Sequence, residues 1–135
     1  MIKTQMDIER YFYGIVKASD LGKAIGGTVY RYGMRPDNAK TEDIIVGLLS
    51  GIDGQQQDGI VLVNVFVPDK AGRNGKKEPD YGRIATLQAY KEALISDCQK
   101  GDFYVARSKE TEKAIAVENN QQCFTIRLNF RTITD

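Results

Sequence analysis

An α+β fold, with a mainly antiparallel sheet and two helices packed on one of its faces, is the architecture this sequence predicts. Three observations carry it. Residues 43–49 (DIIVGLL) and 59–67 (GIVLVNVFV) are strand-like runs that are apolar on both alternating faces. Residues 4–19 and 83–98 carry apolar stripes at helical spacing on either side of those runs. Residues 121–133 alternate apolar and polar side chains, as a strand with one wet face does. The predicted order is α-β-β-β-α-β-β-β over a single domain, residues 1–135, with an exposed loop at residues 68–82.

The first helix, residues 4–19, follows from Ile8, Phe12, Ile15 and Val16, with Tyr11 beside them. Thr4 is placed to cap it, and Asp7 stands three residues on, in the capping-box position. Gly22, Gly26 and Gly27 break it. A short strand, residues 28–32 (TVYRY), is rich in β-branched and aromatic residues. The polar connection 34–42 contains the turn signal Pro36-Asp37-Asn38. The strand over 43–50, the glycine-bearing loop 51–59 and the valine-rich strand that follows predict an antiparallel pair with a long tip.

Pro68 ends the third strand and opens residues 68–82 (PDKAGRNGKKEPDYG), which predict an exposed, mobile loop. The second helix, residues 83–98, carries Ile84, Leu87, Leu94, Ile95 and Cys98 on one stripe, and Gly101 stops it. Residues 103–107 and 114–117 are short strands around a charged turn at 108–113. In the last strand Phe124, Ile126, Leu128 and Phe130 face one way, and Thr125, Arg127, Asn129 and Arg131 the other.

The central strands carry the main functional hint. In 59–67, Val61, Val63, Val65 and Val67 point one way, while Ile60, Leu62 and Phe66 point the other with only Asn64 polar among them. A sheet wet on one side would alternate apolar and polar. Both faces therefore call for cover, and two helices on one side leave the other incomplete. Ile60, Leu62 and Phe66, or alternatively Val61, Val63 and Val65, are the candidate interface, because pattern alone does not say which set faces out. Arg127 and Arg131 join it, with Arg31 expected on the same exposed side. The seven tyrosines add amphipathic residues suited to contacts, with core packing as their default use.

Composition narrows the function classes. The chain is 41% hydrophobic and 27% charged with a net charge of +1, so it folds as an ordinary domain and carries no global field toward nucleic acid or anionic membrane. No stretch reaches the length of a spanning helix and the first residues lack a signal-peptide run, so the expected location is the cytosol, with no membrane partner. Histidine is absent, which removes Ser–His and Cys–His nucleophilic pairs and His-containing zinc sites. Cys98 and Cys123 are expected to be packing thiols.

Two motifs fail on spacing. The Gly72–Lys77 segment lacks the glycine of a phosphate loop, Lys70 standing in its place, and Lys77 replaces the hydroxyl that would reach magnesium. Asp53 and Asp58 are separated by three glutamines and lack the distal glutamate of a calcium loop. These residues predict no enzyme, no cofactor and no metal site. The basic cluster Lys70, Arg73, Lys76, Lys77 and Arg83, against Glu78 and Asp80, is the candidate partner-binding loop. It supports a second reading, a small nucleic-acid-binding or protein-binding adaptor, although no aromatic stacking platform is interleaved with it.

The element order, carried by Gly27-Thr28-Val29-Tyr30, Arg35-Pro36, Asp43-Ile44-Ile45-Val46, Val63-Asn64-Val65-Phe66-Val67 and the alternating residues 124–130, resembles the tail terminator, or tail completion, proteins of long-tailed bacteriophages and prophages. The resemblance spans nearly the whole chain. It implies a non-enzymatic structural protein of a virion tail. It also implies a homo-oligomer, usually a ring of six subunits, that caps the tail tube and joins it to the head, with tail-tube and head-connector proteins as partners. The doubly apolar strands would then be covered by neighbouring subunits.

Overall fold

The computed structural model describes residues 4–51, 58–106 and 113–132. The predicted tip with Asp53, the turn at 108–112, Arg107 and the end of the last strand at Ile133 lie outside them.

Helix α1 (Gln5–Ala18) is closed at its start by the expected capping box. Thr4 Oγ1 accepts from the Asp7 N–H at 3.1 Å, and the Asp7 carboxylate accepts from the Thr4 N–H at 3.2 Å. Ile8, Phe12 and Val16 recur every fourth residue and are buried. Ser19 ends α1 and caps the short α2 (Asp20–Ala24), its hydroxyl accepting from the Gly22 N–H. Strands β1 (Val29–Arg31), β2 (Asp43–Gly51) and β3 (Asp58–Pro68) follow.

The expected exposed, mobile loop 68–82 contains a short two-stranded ribbon. Strands β4 (Lys70–Ala71) and β5 (Lys77–Glu78) pair antiparallel across a tight turn at Arg73–Gly75. Asn74 and Gly75 turn the chain with φ of 60° and 74°, a region those two residue types tolerate. The second predicted helix is two, α3 (Tyr81–Gln88) and α4 (Lys91–Gln99). They part where the Tyr90 N–H bonds three residues back, to the Leu87 carbonyl, and tightens the helical turn. Strands β6 (Phe103–Ala106), β7 (Ile115–Val117) and β8 (Gln121–Thr132) complete the chain.

The main sheet runs β1-β2-β3-β8-β6, with β7 also paired to β8. Every pairing in it is antiparallel except β1 with β2, which is parallel and makes the sheet mixed. The parallel step follows from connectivity, because residues 32–42 return to the start of the sheet before β2 begins.

Register fixes which residues share a face. Ile44–Val65–Phe124, Val46–Val63–Ile126 and Leu48–Val61–Leu128 form successive cross-strand rows on one side. Val61, Val63, Val65, Ile126 and Leu128 there have no exposed area, and they join Phe12, Val16, Leu87 and Ile95 from the helices in one core. Tyr11, Phe12, Phe103 and Phe130 pack at ring-centroid distances of 5.2–5.6 Å at one end of that core. Cys98 and Cys123 are free and buried. Burial, with Asp97 beside it, pushes the Cys98 thiol up to about 12, and burial pushes Cys123 up to about 11.

Candidate functional site: the open face of the sheet

The opposite side of the sheet is built from the alternate residues. Tyr30, Ile45, Asn64 and Thr125 form one row, Gly47, Leu62 and Arg127 the next, and Ile60, Asn129 and Ala106 a third. The buried residues of all four helices belong to the valine side. Among the described residues, Tyr30, Ile45, Ile60, Leu62, Asn64 and Thr125 are only half-buried, and Arg127 and Asn129 are exposed. At the centre the Thr125 hydroxyl donates to the Asn64 side-chain oxygen at 2.6 Å. That bond pairs the two polar side chains at the centre of the apolar surface. At the edge, the Arg131 guanidinium lies 4.8 Å from the Tyr104 ring centre, and Tyr104 is 52% exposed.

One corner of this face is closed. The guanidinium of Arg35 stacks on the Phe66 ring at 4.2 Å. Its Nε donates to Asp43 at 2.9 Å, and another nitrogen donates to the Gln121 side-chain oxygen at 2.6 Å and to the Thr41 carbonyl at 3.1 Å. Asp43 is fully buried and also accepts from the Thr28 N–H at 2.8 Å and the Thr41 hydroxyl at 2.7 Å. Burial alone would push its carboxyl up. The Thr28, Thr41 and Arg35 donors overcome that and hold it below the ordinary carboxylate range. Gly27 permits the arrangement, since a Cβ there would run into Asp43 and the Glu42 carbonyl.

The residues singled out from sequence fall into distinct places. Ile60, Leu62, Phe66, Arg127 and Arg131 come together on this face, with Phe66 under Arg35 at its closed corner. Val61, Val63 and Val65 do not belong to it: they are core, because the pleat turns them under the helices. Arg31 is also corrected. It points to the helix side, where its Nε meets Glu9 of α1 at 3.3 Å.

Among the basic residues, Lys70, Arg73, Lys76 and Lys77 are exposed on the β4–β5 ribbon. Arg83 is not available with them. It grips Glu42 through two bonds of 2.8 and 2.7 Å and donates to the Ala24 carbonyl at 2.6 Å, tying α3 to the start of β2. Sequence reasoning missed the Arg35–Asp43 pair. The available signal was an aspartate opening an apolar strand, a position that demands a buried counter-charge.

Both oxygens of Asp43 are occupied, and among the described residues no group of three or more Cys, Asp or Glu side chains is placed to hold a metal. No helix described is long and apolar enough to cross a membrane. No protein-family model matches the chain, and comparison with curated proteins finds no match.

Proposed function

We propose that this chain is a non-enzymatic assembly protein that works by covering the open face of its sheet with a second copy of itself. The supporting observation is the half-buried apolar set Ile45, Ile60 and Leu62, rimmed by Arg127 and Arg131, over which no described helix lies. Aliphatic residues at the centre of a surface with arginine at its rim are the composition of a subunit contact. A head-to-tail contact, in which this face meets a different surface of the next copy, would close into a ring by rotation.

Within that reading, the resemblance in element order supports a role as a phage or prophage tail terminator. The ring would cap the tail tube, stop its growth and present a docking surface to the head connector. Specificity would reside in shape and surface chemistry, with no cofactor.

The test is mass in solution by light scattering over a concentration series, on wild type and on Leu62→Asp. A ring, or an oligomer that grows with concentration, is expected for wild type, and a folded monomer for the variant. A wild-type protein that remains strictly monomeric up to the highest soluble concentration overturns the proposal.

A further inference from the structure

Four segments meet around a cavity of about 230 Å³ lined by Lys40, Pro68, Asp69, Lys77, Asn119 and Asn120. Lys40 comes from the connection before β2, Pro68 and Asp69 from the end of β3, Lys77 from the ribbon, and the asparagines from the β7–β8 turn. The walls are pinned to one another. The Asn119 side-chain amide donates to the Asp37 carbonyl at 3.2 Å, joining the turn to the segment that carries Lys40. The Asn120 carbonyl accepts from the Asp69 N–H at 2.9 Å, joining the same turn to the root of the ribbon. Asn119 and Asn120 hold φ of 66° and 56°, which asparagine tolerates better than most residues.

The lining chemistry has a clear bias. Lys40 and Lys77 are exposed, and neither is ion-paired among the described residues. The acid of the lining, Asp69, lies 3.5 Å from the Gln122 side-chain nitrogen. Two ammonium groups with an amide beside them match an oxyanion that accepts several hydrogen bonds at once. The volume is below that of a typical drug-sized or cofactor pocket, so a small group fits it better than a whole nucleotide. Exposed Lys70, Arg73 and Lys76 continue the positive charge along the ribbon.

We propose that this cleft binds a phosphate group, with Lys40 and Lys77 supplying charge and the Asn120 side-chain amide supplying N–H donors. The phosphate would belong either to a nucleic-acid backbone or to free polyphosphate. The cleft shares no residue with the half-buried apolar set of the open face, so binding is expected of monomer and oligomer alike.

The experiment titrates the full chain with a labelled single-stranded DNA oligonucleotide at several salt concentrations and, separately, with inorganic tripolyphosphate. The Lys40→Ala/Lys77→Ala double variant should bind about tenfold or more weakly. For DNA, the slope of log affinity against log salt should shrink by about 0.7, from one lost phosphate contact. Lys23→Ala, on α2 and outside the lining of the cleft, should bind as wild type does. Melting midpoints should be unchanged, since both lysines of the double variant are exposed. Salt-dependent DNA binding assigns the backbone as the source, and binding of tripolyphosphate alone assigns free phosphate. No binding of either probe at low salt, equal binding by the double variant, or equal loss in Lys23→Ala overturns the proposal.

Discussion

The two faces of β3 differ by one residue of register and by almost everything else. Val61, Val63, Val65 and Val67 meet the helices and are sealed. Ile60, Leu62 and Phe66, one step along the same strand, are half-buried and meet an arginine stack, an asparagine–threonine pair and open surface. Hydrophobicity hardly separates the two sets. What separates them is whether the chain has an element left to lay over them. An apolar residue on a sheet is core only where something covers it, and among the described residues the helices cover one side while the Arg35 corner closes part of the other.

The largest effect should come from charging the sealed face. Val63→Asp would bury a carboxyl with no partner, at a cost of about 5 kcal/mol, comparable to the roughly 5–15 kcal/mol stability of a typical domain. The expected circular dichroism is that of an unfolded chain. A folded Val63→Asp variant would show that the valine side is not the core.

Next in size is the corner lock. Arg35→Ala strands a buried Asp43 and should cost about 3 kcal/mol in urea unfolding. Because the folded Asp43 pKa is depressed, its contribution is complete above the unfolded value near 3.9 and lost as pH falls through the lower folded value. Wild type should therefore lose stability below about pH 4 from this group, and Arg35→Ala should show less of that acid loss, Thr28 and Thr41 remaining as donors. Identical acid profiles for the two proteins would count against Arg35 as a support of the ionised Asp43.

Leu62→Asp should be milder for the monomer, at about 1 kcal/mol or less, as for other surface sites, and yet remove the oligomer. If it unfolds the chain as Val63→Asp should, the contrast between the faces collapses. The smallest effect concerns the thiols. With Cys98 pushed up to about 12 and Cys123 to about 11, both should resist a thiol reagent at neutral pH in the native state and react on unfolding. Rapid labelling of native Cys123 would mean that the closed corner above it opens readily.

Much of this was legible in the chain itself. The capping box at Thr4 and Asp7, the apolar stripe of α1 and the alternation of β8 are local, and each formed as its spacing predicts. The break at Tyr90 was not legible, because the stripe of residues 83–98 continues through it. The ribbon at Lys70–Ala71 and Lys77–Glu78 was hidden by glycine, proline and charge, whose composition alone reads as loop. Arg83 counted as one more charge of the basic cluster until Glu42, 41 positions away in sequence, proved to be its partner.

The sequence by itself determined the types of the longer elements, the rows of side chains along each strand and the fact that β3 is apolar on both sides. These depend on periods of 2 and 3.6 residues, which are written in the chain. Only the tertiary structure decided which side is sealed, that Arg31 turns inward to Glu9, that Arg35 closes one corner over Asp43 and Phe66, and that Lys40 and Lys77 share a cleft. Each of those depends on segments distant in sequence being brought together, and local periodicity carries no information about which distant segment arrives.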